Sequence, residues 1–185
     1  MQLVSNELTH RHRCFGQQWP EDAPHHGVLR FKGGLGASVR MRPALRDTPK
    51  VIRISDGDTV TVLAGERHQH KVRLAGIDAP EKAQAFGQAS KISLSDQIFG
   101  REVAVTWDKR DRYGRIIGKI LVDHRDVCLE QVRRGMAWHY KQYARDQAPD
   151  DRVTYAEAEV AARAARVGLW HDVAPVAPWE WRHRK

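Results

Sequence analysis

From Val51 onward the chain runs in short β-forming stretches separated by strong turn signals, and that rhythm narrows its possible folds more than any other feature. Val51-Ile52-Arg53-Ile54 and Thr59-Val60-Thr61-Val62-Leu63 are rich in β-branched residues and flank Asp56-Gly57-Asp58, a turn signal. In the second run Val60 and Val62 share one face, and Thr59 and Thr61 take the other. His70 to Leu74 alternates likewise, Val72 and Leu74 inward and Lys71 and Arg73 outward, and stops at Gly76. Gln84 to Phe99 then suits a helix ended by Gly100. Val103, Val105 and Trp107 alternate as a fourth strand, and Ile116 to Val122 forms a fifth, opened by Tyr113-Gly114-Arg115. Leu129, Val132 and Met136 mark a short amphipathic helix near Gly135. Tyr155, Ala158, Ala162, Ala165 and Leu169 keep helical spacing over a last helix closed by Gly168. Five strands with a helix between the third and fourth is the order of an OB-fold barrel. The expected class is therefore α+β, mainly a β barrel, with about three helices.

The remaining segments set the domain limits. Residues 1–48 mix His, Arg, Gly and Pro without periodicity, as in His10-Arg11-His12-Arg13-Cys14, and read as a poorly ordered N-terminal extension. Gly33-Gly34-Leu35-Gly36 lacks the context of a nucleotide-binding loop. Residues 49–170 form the expected barrel domain. The tail, 171–185, is aromatic and basic and is expected to pack over that domain rather than bind a ligand. A chain of 185 residues with one such domain has room for a single good core.

A net charge of +8 makes a polyanionic partner plausible, nucleic acid first, although charge alone fits a solubilising surface equally well. No run of 18 apolar residues exists, so no membrane span is expected. The start, Met1-Gln2-Leu3-Val4-Ser5-Asn6-Glu7, shows no basic segment followed by an apolar one, so no signal peptide is expected; as written the chain would be cytoplasmic, and its localisation stays open. The two cysteines, Cys14 and Cys128, make no disulfide framework, and His10, His12, Cys14, His25 and His26 lack the paired spacing of a structural zinc site.

Three motifs carry chemistry: Ser55-Asp56-Gly57-Asp58-Thr59, the run from Lys71 to Glu81, and Asp111-Arg112-Tyr113-Gly114-Arg115. Asp58 and Asp78 offer the anionic oxygens a hard divalent cation needs. Glu81 follows Pro80, which holds it out of a helix. Arg73 and Arg115 offer planar forks that bind two phosphate oxygens at once, which lysine cannot do. Each has a plainer reading in isolation: a turn for Asp58, a solvated loop carboxylate for Glu81, surface arginines for Arg73 and Arg115.

Taken together, the three motifs closely resemble the staphylococcal nuclease family over roughly Pro49 to Trp170. The resemblance implies that Asp58, Asp78 and the backbone carbonyl of Ala79 hold Ca2+, with Asp56 behind them. It makes Glu81 the base that takes a proton from the attacking water. A free Glu has a pKa of about 4.3, so a nearby metal must share in that deprotonation. Arg73 and Arg115 would stabilise the phosphorane-like transition state, and Tyr113 would contact the bound nucleotide by hydrogen bonding and stacking. Trp138, His139 and Tyr140 stand where the family places further aromatic contacts. The implied activity is calcium-dependent hydrolysis of DNA and RNA, single strands preferred, leaving 3′-phosphate ends, by a monomer; bacterial relatives are often exported. The competing expectation is an inactive OB-fold module that binds single-stranded nucleic acid. Retention of Asp58, Arg73, Asp78, Glu81 and Arg115 together separates the two.

Overall fold

The computed structural model describes residues 48–65 and 67–184. The expected extension, apart from Thr48, and the His/Cys cluster with it, lie outside the described residues. Strands β1 (Lys50–Ile54), β2 (Thr59–Ala64) and β3 (His68–Leu74) form an antiparallel meander. Two-residue β4 (Ile77–Asp78) follows, then helix α1 (Gly87–Ile98), strands β5 (Ala104–Arg110) and β6 (Ile116–Val122), and two-residue β7 (Arg125–Asp126). The main sheet is ordered β1-β2-β3-β6-β5, with β3 and β6 parallel and β5 and β6 antiparallel. A parallel neighbour needs a crossover, and α1 with β5 supplies it.

The sheet curls back on itself. The β1 edge meets the lead-in to β5: Val51 N–H donates to Arg101 O at 2.9 Å, Val103 N–H to Pro49 O at 2.9 Å, and Lys50 bridges Glu102. A register shift between Val51 and Arg53 on β1 adds the local bend. The ladder does not close completely, but the architecture is the α+β, OB-type arrangement expected. Val51, Val60, Val72, Leu94, Ile116 and Ile120, all fully buried, fill it.

The structure corrects several details of the sequence reading. Thr59 and Thr61 are buried, at 4% and 8% exposure, although their polarity places them outside. β2 is flanked by β1 and β3, and the Thr59 hydroxyl finds a buried acceptor in Asp58 Oδ1 at 3.0 Å. Helix α1 begins at Gly87 rather than Gln84, because the side chain of Gln84 accepts from Glu81 N–H and its backbone N–H bonds Glu81 O. Helix α2 (Val127–Arg133), capped by Asp126 on Leu129 N–H at 3.1 Å, stops short of Met136.

After β8 (Trp138–His139), helix α3 spans Pro149–Ala164, starting earlier and ending sooner than its apolar spacing suggests. Pro149 and the acidic Asp150 and Asp151 favour its start. Its end is closed by Val167 N–H on Ala162 O at 3.1 Å, with Arg166 at φ 50° taking the left-handed place usually given to glycine. Gly168 instead opens a following 3-10 turn, where a Cβ would lie 2.3 Å from Gly135 O.

A fourth helix, α4 (Pro178–His183), was not foreseen. Its approach is fixed by Gln84 Nε2, which donates to Val176 O at 2.6 Å, and by buried Ala177. Trp179 of the helix and Trp170 each meet Trp138 edge to face, with centroids 5.4 and 4.4 Å away. Among the described residues no helix is long and apolar enough to cross a membrane.

Candidate active site

The turn between β1 and β2 aims Asp58 inward. Asp56 Oδ1 accepts from Asp58 N–H at 3.1 Å, the local loop that Asp-Gly-Asp favours. Gly57 is required for packing, since a Cβ there would fall 1.9 Å from Ser90 Oγ and 2.8 Å from Ala79 Cβ. Asp78 sits on β4, whose partner across a short antiparallel ladder is Trp138 of β8. Both carboxylates are buried, Asp58 at 5% and Asp78 at 1% exposure.

One guanidinium joins them. Arg73, opposite Thr59 in the β2–β3 ladder, places Nη1 3.0 Å from Asp58 Oδ2 and Nη2 2.7 Å from Asp78 Oδ1. Nη1 also donates to the carbonyls of Ile77 at 2.9 Å and Leu74 at 3.2 Å. Arg73 points away from Val72 and Leu74, as its parity requires, but it is pulled onto the acidic pair and only 13% exposed rather than lining an open groove. Asp58 Oδ2 also accepts from Ala79 N–H at 2.7 Å, so the contact made by Ala79 in this structure is through its amide.

Glu81 lies on the irregular segment after Pro80, at the rim, its side chain 41% exposed. Its carboxylate is met by Arg182 of α4. Arg182 Nη1 is 2.8 Å from Glu81 Oε1, and Nη2 is 2.8 Å from Asp78 Oδ2. No local signal in the sequence marks Arg182 among 31 Lys and Arg residues.

Burial dominates the electrostatics. Desolvation pushes Asp58 up to about 6 despite the opposing charge of Arg73, and the charge of Asp56 adds to the rise. Desolvation also raises Asp78, with Arg182 and Arg73 working against it and Asp58 reinforcing it. Arg182 is shifted upward: partial burial opposes the shift, but its hydrogen bonds to Asp78 and Glu81 outweigh it.

Arg115 and Tyr113 stand on the turn before β6. Asp111 organises this turn, its Oδ1 accepting from the N–H groups of Tyr113 and Arg115, both at 2.9 Å, and its Oδ2 pairing with Arg115 Nε at 2.7 Å. Arg73 is opposite Ile117 in the β3–β6 ladder, and Arg115 lies two residues before Ile117, on the turn just outside β6. The polar contacts of Arg115 go to Asp111 rather than to the acidic group. Tyr113 is 67% exposed, and the Arg112 and Arg115 guanidinium carbons lie 4.8 and 5.6 Å from its ring centre.

Of the other aromatic candidates, Trp138 and His139 are interior, at 8% and 3% exposure, because β8 must pair with β4 to hold Asp78. Tyr140 lines a cleft of about 680 Å³ with Tyr143, Trp179, Arg182, His183 and Arg184, and all three candidates line a smaller neighbouring cleft of about 240 Å³. Tyr140 and Trp179 stack there at 5.5 Å and 16°.

The acidic group suits a hard cation. Asp58 and Asp78 are desolvated, mutually repelling carboxylates, and their oxygens are the donors calcium prefers. Among the described residues no group of three or more His, Cys, Asp or Glu side chains is gathered around one point. An ion there would draw the rest of its shell from backbone carbonyls and water.

Residues 71–172 match the family model described as staphylococcal nuclease homologue. The chain is 43% identical over 140 residues to an uncharacterized endonuclease of Haemophilus influenzae, an alignment covering 76% of this chain and 75% of that one. It is 42% identical over 142 residues to a micrococcal nuclease of Shigella flexneri, covering 72% and 79%. With the protein ParB of Escherichia coli it shares 40% identity over 167 residues, covering 85% and 92%. The curled sheet, the paired carboxylates and these similarities define one class: the chain belongs to the staphylococcal nuclease family.

Proposed function

We propose that the protein is a nuclease that hydrolyses phosphodiester bonds of DNA and RNA with the aid of calcium. The observation that carries this reading is the convergence of Asp58 and Asp78 on the Arg73 fork, with Glu81 at the solvent-facing rim of the same group. Buried anionic oxygens beside a phosphate-binding guanidinium serve little purpose in a module that only reads nucleic acid. The relatives named as nucleases support the same class.

In this reading Asp58, Asp78 and the Ala79 carbonyl hold the ion, which when bound would add positive charge where the phosphate becomes more negative and ease deprotonation of water. Glu81, reachable by solvent, takes the proton of the attacking water. Arg73, on β3, and Arg115, on the turn that opens the neighbouring β6, bind the equatorial phosphate oxygens; the Nε–H of Arg73 makes none of the contacts to the carboxylates. Tyr113 stacks on an unpaired base, worth about 1–3 kcal/mol and tolerant of sequence, which favours single strands. Attack that expels the 5′-oxygen leaves a 3′-phosphate.

The test is cleavage of denatured DNA by the purified full chain with calcium, with magnesium and with excess chelator. Calcium should support cleavage, magnesium only poorly because it demands tighter octahedral geometry, and chelator should abolish it. Undiminished rates in chelator would refute the metal assignment.

A further inference from the structure

We propose that Arg182 is an internal cation that competes with the divalent ion for Asp78 and so sets the metal affinity of the site. This rests on the reading of Asp58 and Asp78 as metal ligands. Helix α4 lies beyond residues 71–172, which the family model covers, so nothing in that match accounts for it.

The oxygens of the two buried carboxylates are all engaged by donors from the chain. Asp58 Oδ1 accepts from Thr59 at 3.0 Å and Oδ2 from Ala79 N–H at 2.7 Å. Asp78 Oδ1 faces Arg73 at 2.7 Å and Oδ2 faces Arg182 at 2.8 Å. The contacts of Arg73 are built into the barrel, since it also binds the carbonyls of Leu74 and Ile77. Arg182 is different. Its side chain is 40% exposed, it arrives from a short helix, and among the described residues its side-chain polar contacts are to Asp78 and Glu81. It is therefore the cation that can leave.

The helix is organised to let the fork move while its base stays. Ala177 and Pro178 are buried, Val176 is tied to Gln84, and Trp179 stacks on Tyr140. Arg182 follows Trp179 by three residues, about one turn on. Held by that anchor, the guanidinium stays at high local concentration beside the carboxylates whether bound or released. A doubly charged ion at Asp78 Oδ2 would repel and crowd the guanidinium already there, so ion binding displaces Arg182. The apparent dissociation constant then rises by the inverse of the fraction of molecules in which the fork is free.

The test is calorimetric titration of calcium into the metal-stripped full chain, for wild type, Arg182→Gln, Arg182→Lys and Asp58→Asn, each checked by circular dichroism. Arg182→Gln should bind calcium about tenfold or more tightly than wild type, if the fork is on the carboxylates at least nine-tenths of the time. Arg182→Lys keeps the charge without the two-pronged geometry and should fall between them. Asp58→Asn should lose the binding event. Equal or weaker affinity in a folded Arg182→Gln, with wild type binding normally, overturns this inference and leaves the metal reading standing. If Arg182→Gln does not fold, Arg182→Lys decides alone, with affinity at or below wild type overturning it. Absence of calcium binding in every protein overturns the inference together with the metal reading.

Discussion

Nη2 of Arg73 lies 2.7 Å from Oδ1 of Asp78, and the same side chain carries Nη1 to within 3.0 Å of Asp58. Two carboxylates buried this deeply are tolerable because this cation lies between them. Arg73→Ala should therefore destabilise the fold by about 3–5 kcal/mol, the usual cost of stripping one partner from a buried ion pair. Adding Asp78→Asn to that variant removes one of the stranded charges and should restore part of the loss. Urea unfolding in the presence of chelator measures both. A double variant no more stable than Arg73→Ala alone would show that stranded charge is not the source of the damage.

The raised pKa of Asp58 gives a signed prediction. Its carboxyl ordinarily titrates at 3.8 and in the fold at about 6. Between those values the folded protein holds a proton that the unfolded chain has released. Its contribution to stability is thus present below 3.8 and lost as pH rises through 6. Asp58→Asn lacks this dependence. Without divalent ions, the wild type should lose stability relative to the variant between pH 4 and 7, by about 3 kcal/mol at most. Parallel stability curves for the two proteins across that range would contradict the assignment.

Tyr113 separates binding from folding. With 67% of its surface exposed, its removal leaves no cavity. Tyr113→Ala should change unfolding free energy by no more than about 0.5 kcal/mol. Its affinity for single-stranded DNA should fall by about 1–3 kcal/mol if the ring stacks on a base. Fluorescence titration with a labelled oligonucleotide supplies the second number, and unchanged affinity would remove Tyr113 from the substrate site.

Gly57 tests whether the acidic turn must pack closely against α1. A methyl group there would collide with Ser90, whose hydroxyl donates to Met136 O at 2.6 Å, and with Ala79. Overpacking of this kind costs about 1–3 kcal/mol. Gly57→Ala should lower the thermal midpoint and cut nuclease activity, because the turn that aims Asp58 must shift. A variant with wild-type stability and activity would mean that the loop is free to relax.

Local alternation made β2, β3 and β5 legible in the sequence, because Val60 and Val62, or Val72 and Leu74, mark one face directly, while β1 and β6 were legible from β-rich runs beside turn signals. The turn at Asp56-Gly57-Asp58 was legible because those residues favour it locally, while a role for Asp58 came from the family resemblance alone. What lay beyond reach depends on distant contacts. Thr59 and Thr61 are polar by composition yet buried by their place in the sheet. Trp138 and His139 are expected as groove aromatics, and their near-complete burial in β8, which pairs with β4, is not visible in the sequence. Arg182 is separated from Asp78 by 104 positions, and no pattern in its own neighbourhood announces that it reaches the acidic group.

As proposed, Glu81 and Arg115 act on the reaction more than on binding. The most direct measurement is kcat beside equilibrium affinity for single-stranded DNA, with calcium, for wild type, Glu81→Gln, Arg115→Ala and the double variant. Loss of one preorganised charge typically lowers the rate by about 10²–10³-fold, while affinity should fall far less because many basic groups share it. The two rate losses should combine less than additively, since both groups serve one charge distribution. The expected result is a large fall in kcat with binding largely retained. A wild type that binds tightly but turns over no DNA or RNA above the buffer blank would contradict it and identify the protein as a binding module.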